Sequence, residues 1–121
     1  MKESPIFTRS YELLQWLIPA TVKFPRQQRF VLAAAIQKTA LELHEKLIEA
    51  AKADAPLPFL RQSDVLLTKL RFYLRLCRDL ELFNLGQYEH ASRILSEIGK
   101  LLGGWIKKLG ASTQTIQSVS R

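Results

Sequence analysis

The chain has 121 residues, 47% of them apolar and 24% charged, with a formal charge of +7 and a pI near 9.9. That length accommodates one domain with a real core and not comfortably two, and the composition excludes a disordered chain. No apolar stretch approaches the length of a membrane span, and a single cysteine, Cys77, excludes an intrachain disulfide.

The basic balance favours polyanionic partners: nucleic acid, an anionic membrane or an acidic protein. One thiol leaves the redox compartment open, with a lean to the cytosol. Residues 1–12 contain Glu3 and Glu12 and lack an unbroken apolar run, so no signal peptide is expected.

Apolar residues recur at three and four, and period-two runs are missing, so the chain reads as all-α with four helices. The first spans about Thr8 to Val22, with Phe7, Tyr11, Leu14 and Ile18 as its apolar face. Pro19 should kink it or end it early. The second helix starts near Pro25, a good first-turn residue, and reaches about Asp54. Its stripe is Ala33, Ile36, Ala40, Leu43, Leu47 and Ala50. The linker at residues 53–59 holds two prolines and cannot be helical throughout.

The third helix starts at about Pro58 or Ser63 and ends near Phe83, with Asn84 and Gly86 as its stop and turn. Arg71, Arg75 and Arg78 fall on one side of it. The rest of its circumference is nearly all apolar: Val65, Leu66, Leu70, Phe72, Tyr73, Leu76, Cys77, Leu80 and Phe83. A bundle helix needs an apolar arc a little over about 100° wide, and this one has about twice that. The excess calls for a second partner surface, another subunit or another protein. The arginines have three readings: a solvated face, a stripe that grips phosphates bidentately, or partners for carboxylates such as Asp79 or Glu81 on a neighbouring copy. Arginine outnumbers lysine in this helix, which favours phosphate.

The fourth helix runs from about Gln87 to Leu109, with Tyr88, Ala91, Leu95, Ile98, Leu102, Trp105 and Leu109 as its stripe and Gly110 as its end. Arg93, Lys100 and Lys107 cluster on another face. Ser92, Ser96, Gly99 and Gly103 share a narrow face. Glycine costs up to about 1 kcal/mol against alanine inside a helix, so Gly99 and Gly103 are read as close packing against a helix or subunit, with Trp105 as an anchor. Residues 1–110 thus form one antiparallel up-down four-helix bundle, and residues 111–121 a polar, flexible tail.

No enzyme signature is found. His44 and His90 lack a second ligand at i+3 or i+4, no inward-facing acidic pair stands out, and no nucleophile elbow or phosphate loop is present. No catalytic residue, metal or cofactor is assigned, and Cys77 reads as a small core hydrophobe.

KFPRQQRF at 23–30, LRFYLRL at 70–76 and IGKLLGGWIKKL at 98–109 resemble the accessory variability determinant (Avd) proteins of diversity-generating retroelements. The four-helix proteins encoded in 23S rRNA intervening sequences are similar too. The resemblance covers nearly the whole chain and rests on LRFxLR together with Gly99, Gly103 and Trp105. It implies a homopentameric barrel that binds nucleic acid and the retroelement reverse transcriptase through a basic surface, supporting mutagenic reverse transcription. Family positions in the third helix map onto Arg71 and Arg75; Arg78 extends the stripe by periodicity alone. Two alternatives stand beside this: an intervening-sequence protein without a reverse-transcriptase partner, and a helical interaction scaffold with no nucleic-acid role.

Overall fold

The computed structural model describes residues 4–119, with side chains described for residues 4–111. Among the described residues there are four helices and no strand. The first, α1, is Pro5–Val22. The second, α2, joins a short turn Arg26–Gln28, a π-helical turn Arg29–Ala33 and a long segment Ala34–Lys52. Then follow α3, Leu57–Asp79, and α4, Leu85–Val119. Lys46 of α2 lies over Phe59 at the start of α3, and Arg78 near the end of α3 lies over Tyr88 at the start of α4. Phe7 meets Trp105 while Trp16 meets His90, so α1 and α4 are antiparallel as well. The helices close into an up-down-up-down bundle in which α1 and α3 each pack on α2 and α4.

Leu13 and Leu17 of α1, Ile36, Leu43 and Leu47 of α2, Leu60, Leu67, Leu70 and Leu74 of α3, and Leu95, Ile98 and Leu102 of α4 fill the centre. Burying each such side chain contributes about 1.5–3 kcal/mol. The stripe expected for α2, Ala33 to Ala50, is buried throughout.

The face expected for α1 is wrong. Ile6, Ser10, Leu13, Leu17 and Thr21 point inward, Tyr11 is 54% exposed, and Phe7, Leu14 and Ile18 are only half-buried. Two polar residues hid the true stripe, because their hydroxyls find partners inside. Ser10 donates to the Phe7 carbonyl at 3.2 Å and lies 2.7 Å from His44 Nδ1. Thr21 donates to the Leu17 carbonyl at 2.9 Å and accepts from Gln37 Nε2 at 2.9 Å. A buried hydroxyl with its bonds made costs little. Pro19 neither ends nor shortens α1; it is exposed, as is Gln15, whose carbonyl loses its bond to residue 19, so that carbonyl can turn to water.

The π turn of α2 was not foreseen. It inserts an extra residue into the helical register, which seats Leu32 and Ala33 in the core and leaves Phe30 79% and Val31 74% exposed. Arg29 Nε, at the start of this turn, donates back to the Phe24 carbonyl at 3.0 Å.

The α3–α4 junction differs from the expected stop at Asn84 and Gly86. Helix α3 ends at Asp79. Glu81, at φ 59°, takes the left-handed position, its N–H bonds the Arg78 carbonyl, and the Leu82 N–H reaches the Cys77 carbonyl at 2.8 Å. That pair of bonds is the Schellman arrangement, with Glu81 where glycine is the usual choice. Asn84 instead starts α4: its Oδ1 accepts from the Gln87 N–H at 2.8 Å, and Gln87 Oε1 accepts from the Asn84 N–H at 2.9 Å. This reciprocal cap satisfies two otherwise orphaned donors. At its far end α4 continues past Gly110 to Val119, so the expected stop there is absent. The side chains of the expected tail beyond Ala111, and residues 120–121 altogether, lie outside the described residues.

Candidate nucleic-acid interface

Helix α3 is apolar on two opposite sides. Leu60, Ser63, Leu66, Leu67, Leu70, Leu74 and Cys77 face the core. At 100° per residue, Val65, Phe72 and Leu76 stand on the far side, and they are 55%, 64% and 43% exposed. The over-wide apolar arc read from the sequence is therefore a second face turned away from the bundle. Leu66, Leu70, Cys77 and Phe83 belong to the core, Tyr73 is half-buried on one flank, and Leu80 is exposed beyond the helix end.

Arg71, Arg75 and Arg78 occupy the other flank, beside α4, and all are exposed. They differ in what holds them. Arg71 lies across the backbone of α4 at Gly99. A Cβ on Gly99 would stand 2.6 Å from Arg71 Nη2 and 3.3 Å from Leu67 Cδ2, so glycine makes the notch in which this guanidinium rests. Arg78 donates to Asp79 Oδ1 at 3.1 Å and stacks 4.7 Å from the centroid of the Tyr88 ring. The carboxylate considered as a partner on a neighbouring copy is thus engaged by Arg78 within its own chain. Both groups of that pair face solvent, so the contact orients Arg78 more than it stabilises the fold. Arg71 and Arg75 make no ion pair among the described residues.

Arg93, Lys100 and Lys107 are also exposed and unpaired among the described residues, on the side of α4 opposite Ala91, Leu95, Ile98 and Leu102. Arg71 and Arg78 instead lean into the α3–α4 groove. The six residues form two separate rows, one on α3 and one on the outer side of α4, rather than one cluster. Of the glycines read as packing positions, only Gly99 meets a neighbour; nothing lies within 4 Å of a Cβ placed on Gly103. Trp105 is half-buried and meets Phe7 edge-on at 6.4 Å, an anchor between α4 and α1.

The remaining chemistry-bearing groups are structural. His44 is tied to Ser10, and His90 packs on the Trp16 ring at 5.2 Å. Burial pushes the Cys77 thiol up to about 12, which removes the thiolate needed for nucleophilic work near neutrality. No cluster able to hold a metal ion occurs among the described residues, and no helix there is long and apolar enough to cross a membrane. Lys108 was not among the candidate residues, yet it edges a cavity beside Trp105; its spacing of four and eight from Gly104 and Lys100 was the available signal.

No curated protein matches the chain. A family model described as bAvd-like matches residues 6–109, a span that takes in KFPRQQRF, the arginine-bearing LRFYLRL and the segment around Gly99, Gly103 and Trp105. A two-faced α3 edged with arginine, and a family match over most of the bundle, converge on one conclusion: the chain belongs to the bAvd-like family of accessory proteins.

Proposed function

We propose that this chain is a non-catalytic accessory protein of a diversity-generating retroelement. It assembles through the outward face of α3 into a homopentamer and binds RNA or cDNA, and the retroelement reverse transcriptase, through its basic surface. The family match supports an Avd-type accessory protein. The observation that carries the rest is the placement of Arg71 and Arg75, exposed and unpaired among the described residues, beside Val65, Phe72 and Leu76 on one helix. An apolar face shared between copies brings the arginine flanks of several protomers together, and the summed field attracts a polyanion.

RNA binding as a function of salt tests this. Affinity falls steeply with ionic strength as counterions are released, and Arg71→Ala with Arg75→Ala flattens the logarithmic slope by about 1.4 per pair of lost phosphate contacts on a single strand. Binding that is undetectable at low salt overturns the nucleic-acid reading. A native mass of one protomer overturns the assembly.

A further inference from the structure

Between the start of α1 and the second half of α4 lies a cavity of about 580 Å³. Phe7, Leu101 and Trp105 make its floor, Lys100 and Lys108 its edges, and Gly104 the gap between them. Lys100, Gly104 and Lys108 follow at i, i+4 and i+8, so they form one row with steps of about 6 Å along the helix. The volume falls in the range of small-molecule sites, and the depression is open to solvent.

Gly104 is the informative residue. Glycine in mid-helix costs about 1 kcal/mol against alanine. Nothing in the fold requires it here: no glycine has a positive φ, and no atom lies within 4 Å of the place a Cβ would take. Arg71 explains Gly99; Gly103, Gly104 and Gly110 have no such neighbour, and of these three Gly104 lines the cavity. Its effect is to open the α4 backbone to whatever enters between the two lysines. Among the described residues neither lysine makes an ion pair and no acidic residue lines the cavity.

A half-buried indole, an apolar floor and two unpaired ammonium groups across a gap suit a flat ring that carries a phosphate. The geometry points to a nucleotide site for single-stranded nucleic acid, in which a base lies against Trp105 and its phosphate spans Lys100 and Lys108 at Gly104. This rests on the nucleic-acid reading above. It is separate from the α3 arginines, which meet only backbone phosphate, and it discriminates strandedness because a paired base cannot leave its stack to reach the floor. Stacking on an aromatic side chain tolerates any base, so the site selects single strands and not sequences.

Trp16→Phe leaves Trp105 as the sole tryptophan and keeps a ring against Phe83. In that variant, oligothymidylate, an abasic deoxyribose-phosphate strand of equal length and a duplex are titrated, with binding read by anisotropy and Trp105 by emission. The expected result is binding of all three, with Trp105 quenched by oligothymidylate alone. Gly104→Leu fills the gap with a better helix former and weakens single-strand binding by about tenfold, within the 1–3 kcal/mol worth of a stacked base, while duplex affinity holds. Oligothymidylate that binds without changing Trp105 emission, and whose affinity survives Gly104→Leu, overturns the site and leaves the arginine reading standing. Loss of all nucleic-acid binding by the unaltered chain overturns both. A native mass reduced by Gly104→Leu assigns the gap to contact between copies and overturns the nucleotide site. Equal quenching by polyglutamate overturns it in favour of an acidic protein.

Discussion

Leu70 and Phe72 stand two residues apart on α3 and share little. Leu70 is sealed by the other helices, whereas Phe72 is 64% exposed in a row with Val65 and Leu76. The inner row recurs at three and four, and the outer one at seven and four, so both follow the helical repeat. Hydrophobic periodicity therefore reports that a face is to be covered and is silent on what covers it. The arginines lie on the flank between the two faces, so whatever seats itself on the outer row is brought beside them.

Two substitutions separate the inner row from the outer, and a third tests the turn that ends the helix carrying both. Leu70→Ala lowers unfolding free energy in urea by about 2–5 kcal/mol, the usual cost of a cavity in a close-packed core. A loss below about 1 kcal/mol would show that the inner row is loosely packed, because transfer alone is worth more. Glu81→Gly at the end of α3 raises stability by about 1 kcal/mol, since it relieves a left-handed non-glycine residue. No gain there would mean that Glu81 makes compensating interactions in solution. Phe72→Glu changes the stability of the isolated protomer by only about 0.5 kcal/mol, measured where any assembly is dissociated, yet it lowers the native mass at working concentration. A protomer that unfolds on this change would place Phe72 in its own core and erase the difference between the two rows.

The bundle was legible where local pattern and tertiary burial coincide. The stripe from Ala33 to Ala50 declared α2, and the excess apolar arc declared the second face of α3. Legibility failed on α1, because Ser10 and Thr21 are polar by composition and apolar by placement; carbonyls of their own helix and the distant partners His44 and Gln37 together make their burial tolerable. It failed at the α3–α4 junction for a related reason. Glycine at residue 86 looked like the stop, but the chain turns at Glu81, and the reciprocal bonds of Asn84 and Gln87 commit that segment to the next helix instead. The glycine run was half-read: Gly99 is a notch for Arg71, and that contact joins two helices whose mutual orientation no single-helix pattern contains. The lysine-edged cavity lies deeper still, since its floor combines Phe7 with Leu101 and Trp105 from the other end of the chain.

The π turn Arg29–Ala33 has a bearing on how this chain compares with its kin. A widened turn of this kind absorbs one surplus residue without disturbing the register downstream. Kin lacking that residue would align with a single-position gap here, keep the Ile36-to-Ala50 seam intact, and present a different side chain where Phe30 now projects. Length variation at this point is therefore a cheap evolutionary dial on the bundle's exterior that leaves its interior alone.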